Sequence, residues 1–325
     1  MEITKLYEIF DDLAPLKPEI VDVRKDGVYA YNMTVDSDVF FFYAPDDFDF
    51  EFSMEYSQSE KIIKRLKGMK PEDIKQIELV NGVMKITGSN FGYEIQQYCN
   101  RNEEVPKLFK NECEFVPVTN EFLDGLKVCL VLSKISKKSR AKDLIVDNGQ
   151  MVVNEGTMLV IHKAQDMGKF SINDKASALI NTIQPSSFCV LKDKLLFEYG
   201  GSYVILPKIG YETKNPVIEK INNLVLDLIS INAEMVSKLS FIGKLSKIVK
   251  IKLFEEKLSF SSMNPSAFEE CDVPDCVGEF EASFNYSSIQ HFFMIDNQFD
   301  VTKFGIGEPM LIVNQNYTVF ISNLK

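Results

Sequence analysis

The sequence predicts an α+β protein of three repeated domains, each made of two half-modules that combine a helix with antiparallel strands. Two observations carry this prediction. One unit recurs three times, opening at Phe52, Phe170 and Phe280, and each copy reads strand, helix, strand, turn, strand. The spacing of roughly 110 to 120 residues is that of domains and far exceeds a solenoid repeat. Further runs of period-two alternation precede and follow the first copy, and Asp26-Gly27, Asn81-Gly82 and Asp147-Asn148-Gly149 turns punctuate the strands. The domains are expected over 1–105, 112–210 and 222–325.

The first domain opens with an amphipathic helix over 3–13, where Ile3, Leu6, Ile9 or Phe10, and Leu13 recur at helical spacing before Pro15 and Pro18. Its polar face is acidic, carrying Glu2, Glu8, Asp11 and Asp12. Strands follow in IVDVRKDG, VYAYNMTV, DVFFFYAP and DFDFEFSMEY. In the last, Phe48, Phe50 and Phe52 alternate with Asp49 and Glu51, which places those carboxylates on a solvated face instead of converging on a cation. The helix SQSEKIIKRLKGM is expected to be capped by Ser57 or Ser59 and to bury Ile62, Leu66 and Met69, with Lys61, Lys64 and Arg65 opposite. The strands IKQIELVNG and VMKITG come next. Residues 100–114 read as a charged connector.

The second domain starts with the helix NEFLDGLKVCLVLSKI, followed by a basic SKKSRAK stretch, the hairpin LIVDNGQMVV, the strand NEGTMLVIHK and the second repeat copy. Residues 210–223 form a second connector. In the third domain LVLDLISI reads as a strand, NAEMVSKLSFIGKL as a helix and KIVKIKLFEEKLSFSS as a hairpin, before the last copy.

A chain of 325 residues with 45% hydrophobic and 26% charged residues can bury several cores. Its first 19 residues mix charges into the apolar positions, unlike a signal peptide, and no run reaches the ~20 apolar residues that span a bilayer. A soluble, cytoplasmic protein with no membrane partner is expected. Six cysteines in a chain of this length point to reduced, buried thiols.

Catalytic patterns do not emerge. The two histidines, His162 and His291, fall in a strand and an apolar helix, where packing accounts for them. Cys271, Cys276 and His291 form no standard zinc spacing, because CDVPDC is C-x4-C without a second pair. Phosphate-loop, nucleophile-elbow and dinucleotide motifs do not occur. No enzyme activity, cofactor or metal is expected.

The net charge is −11, yet the basic residues collect in acid-free blocks. Lys61–Lys70 holds five and Gly125–Lys142 holds six, while Val236–Lys252 holds five. A scaffold that touches a polyanion without altering it fits this distribution.

The chain resembles the DNA sliding clamps, most closely the three-domain bacterial beta-clamp type. Asn154-Glu155-Gly156-Thr157-Met158-Leu159 stands where clamps commonly have Thr-Asp-Gly-His-Arg-Leu, keeping the glycine and the final leucine. The third-domain segment AEMVSKLSFIGKLSKIVKIKLFEEKLSFSSMNP, the FNYSSIQHFF helix and the ending EPMLIVNQNYTVFISNLK are similar to clamp C-terminal domains, although Ile321–Lys325 replaces the usual Met-Pro-Met-Arg-Leu. The resemblance implies a head-to-tail homodimeric ring around duplex DNA, lined by helices, that tethers a replicative polymerase and is opened by an ATP-driven clamp loader. The compact first domain and the Lys/Asn/Ile/Phe-rich composition suggest a bacteriophage or other viral source.

Lys61, Lys64, Arg65, Lys67, Lys127, Lys134, Lys137, Lys138, Arg140, Lys238, Lys244 and Lys247 are the expected DNA-facing residues. By the same resemblance, a partner-peptide pocket is expected from Leu144, Gly156, Thr157, Met158, Leu159, Pro216, Val217, Pro309, Met310, Thr318 and Phe320. Rival readings are a monomeric processivity factor that holds DNA without a ring, a structural or virion β-rich repeat protein, and an enzyme using Cys271, Cys276 and His291.

Overall fold

A computed structural model describes residues 4–32, 40–109, 113–135, 144–147, 149–154, 158–208, 228–276, 279–291, 293, 296–300 and 310–322. Each repeat copy folds as a strand, a helix and three strands, one strand more than the sequence pattern suggested. The first copy is β4 (Phe52–Glu55), α2 (Tyr56–Lys67), β5 (Ile74–Val80), β6 (Val83–Gly88) and β7 (Gly92–Gln96). The second is β12 (Phe170–Ile172), α5 (Asp174–Ile183), β13 (Ser187–Val190), β14 (Lys194–Tyr199) and β15 (Ser202–Pro207). The third is β20 (Phe280–Asn285), α7 (Tyr286–Ile289), β21 (Gln298–Asp300), β22 (Met310–Val313) and β23 (Tyr317–Ile321).

A helix and three strands precede each copy. These are α1 (Thr4–Leu13) with β1 (Ile20–Arg24), β2 (Gly27–Tyr31) and β3 (Phe41–Pro45); α4 (Asn120–Ile135) with β9 (Leu144–Asp147), β10 (Gln150–Asn154) and β11 (Met158–Lys163); and α6 (Ala233–Leu245) with β17 (Ile248–Phe254), β18 (Lys257–Met263) and β19 (Ser266–Asp272). Short β8 (Val116–Pro117) and β16 (Leu228–Ser230) complete the strands, and one turn of helix, α3 (Val105–Leu108), lies in the first connector.

Contacts divide the chain into two compact units, 1–119 with 175–209 and 120–174 with 210–325. Each contains one eight-stranded sheet, and the two sheets have the same plan. The first runs β4-β1-β2-β3-β15-β14-β13-β8 and the second β12-β9-β10-β11-β23-β22-β21-β16. Each sheet therefore joins the leading strands of one repeat to the trailing strands of the next, through β3–β15 and β11–β23. This explains why the middle sequence repeat is shared between the units. Two part-sheets remain, β5-β6-β7 and β19-β18-β17-β20. Among the described residues, no strand pairs with the outer edges of β7 and β19, the counterparts of β15 and β3.

Local chemistry explains most boundaries. The β5–β6 turn at Asn81 and Gly82 takes left-handed backbone at both residues, φ 52° and 75°, as a two-residue hairpin requires. The β1–β2 loop is Lys25-Asp26, one residue earlier than the expected turn, because Arg24 pairs with Gly27. Gly27, at φ 148°, lets β3 approach: a Cβ there would sit 2.3 Å from the Ala44 carbonyl oxygen. Gly27→Ala is expected to cost about 2–3 kcal/mol, read as a lower urea midpoint with an unchanged m-value.

Several expectations need correction. Phe48 and Phe50 are buried and alternate with exposed Asp49 and Glu51, yet the strand starts only at Phe52. β4 pairs with β1 from Phe52 to Glu55 and β1 ends at Arg24; before Phe52 the Phe48 N–H donates to the Lys25 carbonyl at 3.1 Å, but among the described residues no ladder extends there. Helix α2 begins at Tyr56 and buries Tyr56, Ser59, Ile63 and Leu66, so its packed stripe is turned from the expected Ile62, Leu66 and Met69. Tyr56 stacks on Phe10 of α1 at 5.7 Å, which fixes that rotation. Neither serine caps it; the Ser59 hydroxyl donates to the Glu55 carbonyl at 2.7 Å. The first connector is anchored, with Val105 and Pro106 of α3 buried. Beyond the expected third-domain hairpin, β19 adds a strand that contains Cys271. The FNYSSIQHFF helix is a single turn, Tyr286–Ile289.

The second unit's core brings Met235, Leu239 and Ile242 of α6 against Ile251, Leu253, Leu258, Phe260 and Phe284, and includes Val160, Ile312 and Val319. Side chains alternate across each strand, so one face enters the core and the other is available to ligands.

Candidate functional site

The basic face of α2 follows from its rotation. Burying Tyr56, Ile63 and Leu66 leaves Lys61, Lys64, Arg65 and Lys67 exposed. Lys64 bridges to Glu60 at 2.6 Å and holds that carboxyl below its usual range, while Lys67 pairs with Asp11 of α1. Among the described residues Lys61 and Arg65 have no acidic partner.

Lys127 is exposed on α4 and lies 3.4 Å from Asp124. Lys134 is in the last turn of α4 but its side chain lies outside those described, and Lys137, Lys138 and Arg140 lie outside the described residues. On the third domain Lys244 and Lys247 are exposed. Lys238 differs: it is half-buried, pairs with Glu234 and donates to the Glu270 carbonyl, which ties α6 to β19. These bonds compete with any phosphate, so Lys244 and Lys247 are the better placed pair.

The expected pocket residues divide between two sheet faces. Leu144, Met158 and Met310 are buried on the face that also carries Val160 and Ile312. Helix α4 packs on this face, where Gly125 lies against His162 and Met151. Leu159, Thr318 and Phe320 point the other way and are half-buried, with Leu159 directly opposite Phe320 and Ile161 opposite Thr318 across the β11–β23 join. Leu311 extends this apolar row from β22. The structure thus brings Leu159, Thr318 and Phe320 together and assigns Leu144, Met158 and Met310 to the core. Gly156, Thr157, Pro216, Val217 and Pro309 lie outside the described residues.

Sequence reasoning missed the exposed apolar residues of the third domain. Met263 is 86%, Phe268 69% and Phe241 50% exposed. Phe241 sits inside an otherwise regular helical pattern and Phe268 alternates on a strand edge, so no local signal separates them from core residues. Cys271 and Cys276 are buried, and burial pushes the Cys271 thiol up to about 11, far from a ready metal ligand. Of the remaining cysteines Cys129 and Cys189 are buried, whereas Cys113 is half-buried and Cys99 exposed, against the expectation for all six. Among the described residues no helix is long and apolar enough to cross a membrane.

Repeating half-modules that complete two eight-stranded sheets and leave two matching edges define a clamp-type fold. Three solved structures share it with this chain. The Helicobacter pylori beta clamp bound to DNA ligase peptide is 12% identical at a TM-score of 0.72, with 99% of this chain and 98% of that one covered. The same clamp with 3,4-difluorobenzamide reaches a TM-score of 0.75 at 11% identity and the same coverage. The DNA polymerase III subunit beta from Pseudomonas aeruginosa gives 0.72 at 11%, again over 99% and 98%. The chain has the three-domain fold of the bacterial beta clamps. No family model and no curated protein matches its sequence.

Proposed function

We propose that this protein is a sliding clamp: a non-enzymatic, head-to-tail dimeric ring that encircles duplex DNA and tethers a replicative polymerase. The observation that carries this reading is the pair of unused edges. In both complete sheets a β3-type edge pairs antiparallel with a β15-type edge. The remaining edges of that kind, β19 and β7, belong to part-sheets that would pair between two copies, β19 of one with β7 of the next. That contact is head-to-tail and closes after two chains of three domains each. It also removes two exposed edges that would otherwise invite aggregation.

The domain limits 1–105, 112–210 and 222–325 describe sequence repeats of this ring, whereas the contact units follow the sheets. Exposed lysines and arginines on α2, α4 and α6 supply a sequence-blind attraction to phosphates, and the overall negative charge discourages DNA elsewhere. The face of Leu159, Thr318, Phe320 and Leu311 anchors apolar side chains of a partner peptide, the kind of ligand seen on the H. pylori clamp. The polymerase reaches the ring through this face, and a closed ring needs an ATP-driven loader to reach circular DNA, in the cytoplasm where that DNA lies. A viral source rests on composition and the compact first domain; the structural neighbours are bacterial.

Solution mass tests the ring. Light scattering is expected to give twice the 37.1 kDa chain mass. Phe241→Glu, which puts a charge where α6, the helix that Lys238 ties to β19, exposes a phenyl ring, is expected to shift the equilibrium to the monomer by tenfold or more, about 1.4 kcal/mol. A parent chain that is monomeric at micromolar concentration contradicts ring closure.

A further inference from the structure

The two complete sheets can be superposed residue by residue in register. Phe42 opposite Val204 and Val160 opposite Val319 are the fully buried pairs at the two joins. Aligned on them, Phe41 and Ile205 correspond to Leu159 and Phe320, Tyr43 and Tyr203 correspond to Ile161 and Thr318, and Leu196 corresponds to Leu311. The face proposed above to bind a partner peptide therefore has a counterpart in the first unit.

That counterpart holds a cleft of about 400 Å3. Tyr43, Leu196 and Tyr203 form its floor on the sheet, and Phe109 and Cys113 of the first connector, with Phe115 just after it, form its wall. Tyr43 and Tyr203 stack at 6.3 Å, and Phe109 and Phe115 each tilt against one of them, at 5.3 and 5.9 Å. Four rings offer a larger aromatic surface than the second unit's face, where Phe320 is the one ring among Leu159, Ile161, Thr318 and Leu311.

The rim is acidic. Tyr43 donates to the Asp26 carbonyl at 2.9 Å, and the exposed Asp26 carboxylate accepts from Tyr29 at 2.9 Å. Pro45 also lines the cleft, and the exposed Asp47 follows it by two residues. Burial raises the Tyr43 phenol, and the Asp26 and Asp47 carboxylates raise it further. Glu114 is exposed next to Cys113. Lys5 bridges to the Asp46 carboxylate at 2.9 Å and donates to the Asp47 carbonyl at 2.7 Å, which leaves Asp26 and Glu114 as the rim carboxylates with no lysine paired to them among the described residues.

We propose that this cleft is a second peptide-docking site, taking a short partner segment that offers an aromatic or large aliphatic side chain to the rings and a lysine or arginine to Asp26, Asp47 and Glu114. The proposal rests on reading the β11–β23 face as a peptide site, since the two are counterparts. A clamp with two such sites per chain holds a second partner, or a second segment of one partner, without competition at the first.

Cys113 provides the readout. The full chain is treated with iodoacetamide, and labelling of Cys113 and of exposed Cys99 is followed by mass spectrometry with and without either of two synthetic peptides. Both peptides share a Leu-Phe core; lysines flank one and glutamates the other. The lysine-flanked peptide at four times its Kd is expected to slow Cys113 labelling about fivefold and leave Cys99 unchanged, while the glutamate-flanked peptide protects much less. Asp47→Lys, an exposed change, is expected to remove the protection, and Phe320→Ala to leave it intact.

Equal protection by both peptides, no protection by either, or protection that Phe320→Ala abolishes and Asp47→Lys spares would each overturn the proposal. Calorimetric stoichiometry separates it from the first site. Two sites per chain, one lost in Phe320→Ala, support both; a single site unaffected by Phe320→Ala supports the cleft and counts against the β11–β23 pocket.

Discussion

Replacing Asp22 with alanine is expected to cost about 3–5 kcal/mol, a large part of the roughly 5–15 kcal/mol that holds a domain together. Asp22 is completely buried, and its carboxylate accepts from Arg24 at 2.8 Å and from the Ser53 hydroxyl at 2.6 Å. Arg101 lies 3.3 Å away and also donates to Ser53 and to Glu51. Arg24 continues to Glu103 at 2.7 Å and to the Asn102 carbonyl.

One carboxylate thus ties β1, β4 and the first connector. Without it, two largely buried guanidinium groups lose their shared counter-charge, and only the more exposed Glu51 and Glu103 remain. Asp22→Asn keeps the shape and some hydrogen bonding and is expected to lose less. Glu103→Gln, at the exposed end, is expected to cost at most about 1 kcal/mol. Urea unfolding followed by circular dichroism measures all three; a loss under about 1 kcal/mol for Asp22→Ala would show that the network contributes little.

The second large effect concerns DNA. Reversing Lys61, Lys64 and Arg65 to glutamate replaces three exposed cations on α2 with anions, on a face whose packing residues are untouched. In a two-chain ring the slope of log K against log salt is expected to fall by about 2 to 5, with retention on DNA lost at moderate salt. Sequence dependence should not change, because these side chains meet phosphates and not base edges. The unfolding free energy is expected to stay within about 0.5 kcal/mol of the parent. Lys238→Glu provides the contrast: its partners are Glu234 and the Glu270 carbonyl, so stability is expected to respond before DNA binding does.

Sequence period made the local elements legible. Helix α4 matches its expected span from Asn120 to Ile135, and the hairpins turn at or within a residue of their Gly-containing dipeptides, because these signals lie within a few residues of one another. The rotation of α2 was not legible, since it depends on Tyr56 meeting Phe10 across the helix pair. Phe48 and Phe50 kept their alternation without a ladder, because burial pattern alone does not say whether a neighbouring strand extends far enough.

The larger omission is the joining of strands. Phe41 pairs with Ile205 and Leu159 with Phe320, each over more than a hundred residues, and only that pairing distinguishes a filled edge from the outer edges of β7 and β19, with which no described strand pairs. The same pairing separates Leu159, Thr318 and Phe320 from Leu144, Met158 and Met310. Resemblance grouped all six, but the pleat puts them on opposite faces.

The ring is tested most directly by comparing retention on circular and linearised DNA of the same sequence, with a clamp loader and ATP supplied and salt held moderate. A sliding clamp is expected to stay on the circle and run off the linear ends, and cutting the circle should release it at once. Equal retention on both forms, or none that depends on ends, would contradict a topological clamp and leave a protein that holds DNA only by its surface.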